Sequence, residues 1–135
     1  MKTFDVQSIQ IFAPREQAFT FISNPETLPR WTSAFVTVNG NKALLRTPNG
    51  EVEINLVVRS SADSGTVDWL MTFPDGSVAT AYSRVVEINR QCCVYSFVLT
   101  PPPVPLEQLE GALEAQSATL AEELERLKAM LETND

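Results

Sequence analysis

The 135-residue chain contains no histidine. That absence removes the commonest general base near neutral pH and the commonest metal ligand, so neither a Ser/His/Asp nor a Cys/His constellation is available. Cysteine is scarce: Cys92 and Cys93 are the only two, and as neighbours in a strand-like run they point to opposite faces. A bond between adjacent cysteines requires a distorted backbone, so they read as two reduced thiols with no zinc spacing. The five glycines form no phosphate-cradling loop. Positive charge is also in short supply, with 10 Lys and Arg against 17 Asp and Glu and a formal charge of −7. A surface of that sign is unsuited to a nucleic-acid backbone or an anionic membrane. No apolar run approaches the roughly 20 residues of a membrane span. Met1-Lys2-Thr3-Phe4-Asp5 leads into a strand pattern without a signal-peptide core. The expectation is a cytoplasmic, single-domain protein with no metal, no cofactor and no nucleic-acid partner.

What the chain does have is one long amphipathic stretch near its end. Leucines at 106, 109, 113, 120, 124, 127 and 131 recur at spacings of three, four or seven, which predicts one helix over 105–131 with a single apolar stripe. Pro105 suits the first helical position, Glu107 and Glu110 the positive end, and Arg126 and Lys128 the negative end. At 1.5 Å per residue this helix is about 40 Å long, enough to cross a small domain. Its stripe thins at Gln116, Ser117 and Ala118. Interiors are ordinarily filled, so the gap marks either a hollow beside the helix or the close approach of another side chain.

Upstream, strand patterns dominate. Thr3 to Phe12 carries Phe4, Val6, Ile9, Ile11 and Phe12, a phase shift that predicts a bulge. Ala13-Pro14 ends it, a short helix follows over Arg15 to Ile22, and a second short helix or turn has Asn24 as cap, Pro25 as first residue and Pro29 as stop. Six further strands follow. Phe35–Val38 and Ala43–Arg46 flank Asn39-Gly40-Asn41, a three-residue hairpin signal, and Pro48-Asn49-Gly50 makes the next turn. Glu51–Arg59 alternates cleanly, Thr66–Phe73 is closed by Pro74-Asp75-Gly76, and Ser77–Ile88 and Gln91–Thr100 complete the series. Pro101-Pro102-Pro103 is a stiff spacer that cannot join the ladder. Successive strands with short turns form an antiparallel meander whose apolar face needs a cover, and the final helix is the one element large enough. The prediction is α+β: a curved sheet of about seven strands gripping a long C-terminal helix, with two short helices after the first strand. A ligand would lie between sheet and helix.

Three segments carry a family likeness. Ile9-Gln10-Ile11-Phe12-Ala13-Pro14, then Phe19-Thr20-Phe21-Ile22-Ser23-Asn24-Pro25-Glu26 and Leu28-Pro29-Arg30-Trp31, resemble the opening of the START-like, birch-pollen-allergen-like helix-grip superfamily: a strand ending in Ala-Pro, a helix, an Asn-Pro-Glu turn and a Trp. The last helix, with Leu120, Leu124 and Leu127-Lys128, extends the likeness over nearly the whole chain. That superfamily includes polyketide cyclase/dehydrases and lipid-transport proteins. The resemblance implies a hydrophobic tunnel between sheet and helix and places Trp31 near its mouth, where it lines the site or serves as a fixed plug.

Candidate ligand-binding residues follow from strand alternation. On Ser77–Ile88 the bulkier set, Val78, Thr80, Tyr82, Arg84, Val86 and Ile88, is expected inward. Arg84 would then need a carboxylate from protein or ligand; with a shifted phase it forms an exposed cross-strand pair instead. Trp69, Met71 and Phe73, with Tyr95, Phe97 and Leu99, line the same face as site or as plain core, and buried tyrosine hydroxyls at 82 and 95 would need partners. Ser117 marks the helix gap. Asp68, Glu53 and the run Glu122-Glu123-Leu124-Glu125 read as solvated charge. Three functions compete: binding or transport of a hydrophobic small molecule, a cyclase or dehydratase working through Tyr82 or Arg84, and a protein-interaction module or homodimer using apolar outer-face residues Val57, Leu70, Val94 and Val98.

Overall fold

The computed structural model describes residues 4–47, 50–100 and 109–133. In chain order the elements are β1 (Asp5–Ile11), α1 (Arg15–Ser23), a 3-10 turn (Pro25–Thr27), α2 (Leu28–Trp31), β2 (Phe35–Asn39), β3 (Lys42–Thr47), β4 (Gly50–Ser61), β5 (Thr66–Thr72), β6 (Val78–Asn89), β7 (Cys92–Leu99) and α3 (Leu109–Glu132). The strands form one antiparallel sheet in the order β1-β7-β6-β5-β4-β3-β2. Strands β2 to β7 are a meander, and β1 pairs with β7 at the far edge. This is the predicted α+β layout. The proline spacer 101–103, the expected helix start at Pro105 and the turn at Pro48-Asn49 lie outside the described residues.

Local chemistry accounts for the junctions. Asn24 accepts a hydrogen bond from the Glu26 N–H at 3.1 Å, capping the 3-10 turn that Pro25 opens. Pro29 does not stop the helical segment; it sits in the first turn of α2, where its missing N–H costs nothing. The β2–β3 loop is shorter than expected, because Asn39 already pairs with Lys42 and only Gly40 and Asn41 turn the chain.

The inner face of the sheet buries Leu45 on β3, Ile54 and Leu56 on β4, Val67 and Trp69 on β5, Val85 on β6, Cys93, Tyr95 and Phe97 on β7, and Ile11 on β1. Against it α3 lays Leu113, Leu120, Leu124, Leu127 and Leu131, all buried. Each such leucine contributes about 1.5–3 kcal/mol by leaving water. Ala18 and Ile22 of α1 and Leu28 and Trp31 of α2 join the same core. Both cysteines are free and buried; burial, then the neighbouring Cys92, pushes the Cys93 thiol up to about 11.

Two strand readings are corrected. β1 has no bulge: Asp5 to Ile11 pair one-to-one with Leu99 to Cys93. Its inward residues are Asp5, Gln7, Ile9 and Ile11, so the apparent phase shift comes from polar residues facing in while Val6 faces out, exposed. On β6 the inward set is the smaller one. Trp69 is buried and pairs with Ala81, and paired residues share a face, so Ala79, Ala81, Ser83 and Val85 point inward. Trp69 and Phe97 stack across that small strip, ring centroids 6.0 Å apart and planes 27° apart, and occupy the space the bulkier set would have needed. Thr80, Tyr82 and Arg84 therefore lie on the outer face with Val78, Val86 and Ile88. Tyr82 is 43% exposed, and Arg84 donates from Nε to the Ser64 carbonyl at 2.9 Å.

Side chains of the helices tie the connections down. Arg15 donates to the Ala62 carbonyl at 2.6 Å in the β4–β5 turn. In the same turn the Gly65 N–H bonds the Ser61 carbonyl, and the Gly65 carbonyl receives the Val85 N–H, both at 2.8 Å. The loop after α2 is held by α3: Glu123 accepts the Ser33 N–H at 2.6 Å and Arg126 donates to the Trp31 carbonyl at 3.2 Å. Lys128 donates to the Gln10 carbonyl at 3.0 Å, sits over the Phe12 ring and pairs with Glu132.

Two outcomes follow. Gly65 has φ +75°, and a Cβ there would lie 2.2 Å from the Val85 carbonyl oxygen; Gly65→Ala should cost about 3 kcal/mol or more in urea unfolding, against about 1 kcal/mol for Gly40→Ala, where φ is +62° but the space is open. Burial raises the Glu123 carboxyl above its ordinary 4.5, with the Ser33 N–H and Arg126 opposing. A carboxyl raised in the folded state binds its proton more tightly there, so its contribution makes stability fall as pH rises through the window just above 4.5. The slope of stability against pH in Glu123→Gln should be more positive in that window than in the parent, since the opposing contribution is gone; an unchanged slope would refute the assignment.

Candidate functional site

Between Leu113 and Leu120 the helix presents Ser117 to the sheet, with exposed Ala118 beside it, and the strand opposite presents Asp5 and Gln7. Neither side supplies a bulky apolar group, so the two surfaces do not close. A recess of about 490 Å³ remains, lined by Asp5, Gln7, Leu113, Glu114, Ser117, Ala118 and Ala121. The helix gap in the sequence thus coincides with a recess beside the helix and, at Ser117 itself, with the close approach of Gln7.

The recess has a built polar floor. The two Nε2 protons of Gln7 are shared among three acceptors, the Ser117 carbonyl at 2.7 Å, Ser117 Oγ at 2.8 Å and Asp5 Oδ2 at 3.0 Å. The Ser117 hydroxyl donates to the same Asp5 oxygen. Asp5 is only 8% exposed, and a carboxylate so buried is tolerable because donors from two elements converge on it. The network also pins β1 to the middle of α3, leaving the geometry of the floor little freedom.

One strand over lies an aromatic interior. In register, Gln7 opposes Phe97 and Asp5 opposes Leu99, so the floor of the recess adjoins the inner face of β7. Trp31 meets Tyr95 edge-to-face at 6.4 Å, Tyr95 meets Phe97 the same way at 6.3 Å, and Phe97 stacks on Trp69. Beyond Trp69 the inner face is only half covered, at Met71, Phe73, Ala81 and Leu99. Among the described residues three polar atoms in this cluster are buried without a hydrogen-bond partner: Trp31 Nε1, Trp69 Nε1 and the Tyr95 hydroxyl. Burial pushes the Tyr95 phenol strongly up, keeping it protonated; Ser83 opposes that shift, but the Ser83 proton goes to the Val67 carbonyl at 2.6 Å.

The expected site residues therefore divide. Ser117 lines the recess. Trp31, Trp69, Tyr95 and Phe97 form the buried aromatic cluster, and Met71 sits half-buried on the inner face beside it. Trp31, 1% exposed, packs into the cluster with no open edge. Thr80, Tyr82 and Arg84 are on the other side of the sheet. Asp5 and Gln7 were missed, though alternation continued backwards from Ile11 and Ile9 would have placed both inward. Among the described residues no cluster of three or more His, Cys, Asp or Glu could hold a metal, and no helix is long and apolar enough to cross a membrane.

No protein-family model and no curated protein matches the sequence. Solved structures do match. A START superfamily protein from Mycobacterium smegmatis superposes with a TM-score of 0.75 at 12% identity, covering 99% of this chain and 100% of that one. The di-domain aromatase/cyclase BexL from the BE-7585A biosynthetic pathway gives 0.71 at 14% identity, covering 100% of this chain and 48% of its own. The ZhuI aromatase/cyclase from Streptomyces sp. R1128 gives 0.66 at 8% identity, with 96% and 93% covered. At such identities the likeness speaks of architecture, and it spans the chain from end to end. The seven-stranded sheet closed on α3, with its two short helices after β1, is the START-like helix-grip fold.

Proposed function

We propose that this protein binds a hydrophobic small molecule between its sheet and its C-terminal helix, as a carrier or sensor. The observation that carries this reading is the recess at Ser117. There the leucine seam of α3 opens, yet the polar groups beneath it are fixed by a hydrogen-bond network instead of being left to collapse. Its volume suits part of a small ligand, and the half-covered Met71, Phe73 and Leu99 extend the apolar surface available to the rest. The likeness to START and aromatase/cyclase structures supports the same place for a guest.

A cyclase- or dehydratase-like activity is the second reading, favoured by the structural likeness to the aromatase/cyclases. Tyr82 and Arg84 do not serve it, because neither faces the interior. Any such chemistry would rest on placement by the recess together with the phenol of Tyr95, which burial makes a hydrogen-bond donor and a poor acid.

Native mass spectrometry of freshly purified protein should show a retained apolar molecule, or binding of at least one member of a panel of quinones, aromatic ketones and fatty acids. A panel that leaves both the tryptophan fluorescence and the thermal midpoint unmoved would overturn the reading. Ala118→Leu adds bulk to the recess wall at an exposed helical position. It should weaken binding at least about tenfold while changing stability by no more than about 0.5 kcal/mol.

A further inference from the structure

From the unpartnered donors of the aromatic interior we infer the electrical character of the guest: neutral, apolar and bearing a carbonyl-type acceptor oxygen, with carboxylates rejected. The inference rests on the reading of the sheet–helix space as a ligand site and concerns which molecule that space selects. The chain has two tryptophans, and both indole N–H groups are buried without a partner among the described residues, in side chains 1% and 3% exposed. An indole N–H donates and never accepts. A buried donor left unmatched is costly, and the cost is relieved only by an acceptor. Tyr95, kept protonated by its burial, adds a third donor to the same ring cluster. Trp69 does not line the recess itself; it is the point of contact for the part of the guest that lies along the half-covered inner face, since it stacks on Phe97 and pairs with half-buried Ala81 beside Met71 and Leu99.

The charge follows from what the interior lacks. Among the described residues no buried side chain is Lys or Arg; the buried polar and charged set is Asp5, Thr27 and Ser83. Arg84, the cation that would have met a carboxylate, is outside, bonded to Ser64. A carboxylate entering would lose its hydration with only neutral donors to receive it, an exchange that disfavours the anion, and the net charge of −7 adds repulsion. A ketone, quinone or ester oxygen meets the same donors without that penalty.

Three probes of nearly one shape separate the possibilities: 2-acetylnaphthalene, 2-naphthoate and 2-ethylnaphthalene, titrated into 15N-labelled protein while the two indole N–H resonances are followed. The ketone should bind at least about tenfold more tightly than either of the others and move an indole proton downfield. In Trp69→Phe that preference should fall to about threefold or less. Equal or tighter binding of 2-naphthoate, or of 2-ethylnaphthalene, would overturn the inference and leave the ligand-binding reading standing. Binding of the ketone with neither indole resonance moved would also overturn it. Failure of all three to bind would overturn the inference, while the ligand-binding reading stands or falls on the retained molecule and the wider panel.

Discussion

The leucine seam between α3 and the inner face of the sheet is the constraint on which the rest depends. A seven-stranded antiparallel sheet curled in one layer leaves its concave face in water unless something long enough lies along it. Leu113, Leu120, Leu124, Leu127 and Leu131 perform that function from a single helix. The same helix also anchors the flanking chain through Glu123, Arg126 and Lys128. Loss of the seam would expose the strands' inner residues and release the loop after α2 at the same time.

The recess is an interruption of that seam, and its polarity is complementary across it. Where α3 changes from leucine to Ser117 and Ala118, β1 changes from Ile9 and Ile11 to Gln7 and Asp5. Two polar substitutions on one element alone would have stranded a buried group; made on both, they satisfy each other. The aromatic cluster next to it does not have this property, since both indole N–H groups and the Tyr95 hydroxyl lack partners among the described residues. The interior thus places a satisfied polar floor beside unsatisfied donors, and it is this contrast that the proposed guest would complete.

The architecture was legible in the sequence because its signals are periodic and long: the leucine repeat of α3, the alternation of β4 and the turn chemistry at Gly40 and Pro74-Asp75-Gly76. The gap at Ser117 was legible for the same reason, as a break in a strong pattern. Facing errors came where amplitude misled. On β6 both faces carry apolar residues, and bulk is a poor guide when neighbouring strands bring Trp69 and Phe97 over the strip; only the pairing of Ala81 with Trp69 decides the side. On β1 an inward Asp and Gln mimic a bulge because alternation is read through hydrophobicity, and a polar residue facing in breaks the code without breaking the strand. The unpartnered indoles were out of reach of sequence reasoning, since hydrogen-bond satisfaction depends on three-dimensional neighbours.

The placement of the recess on two turns of one helix separates scaffold from selectivity. The strand register is set by β-ladder pairing and by the leucines on either side, so residues such as Glu114, Ala118 and Ala121 can vary in size and charge without asking the sheet to rearrange. A change of size or charge at those few helical positions would therefore remould the recess wall while the leucine seam and the strand ladder stay as they are.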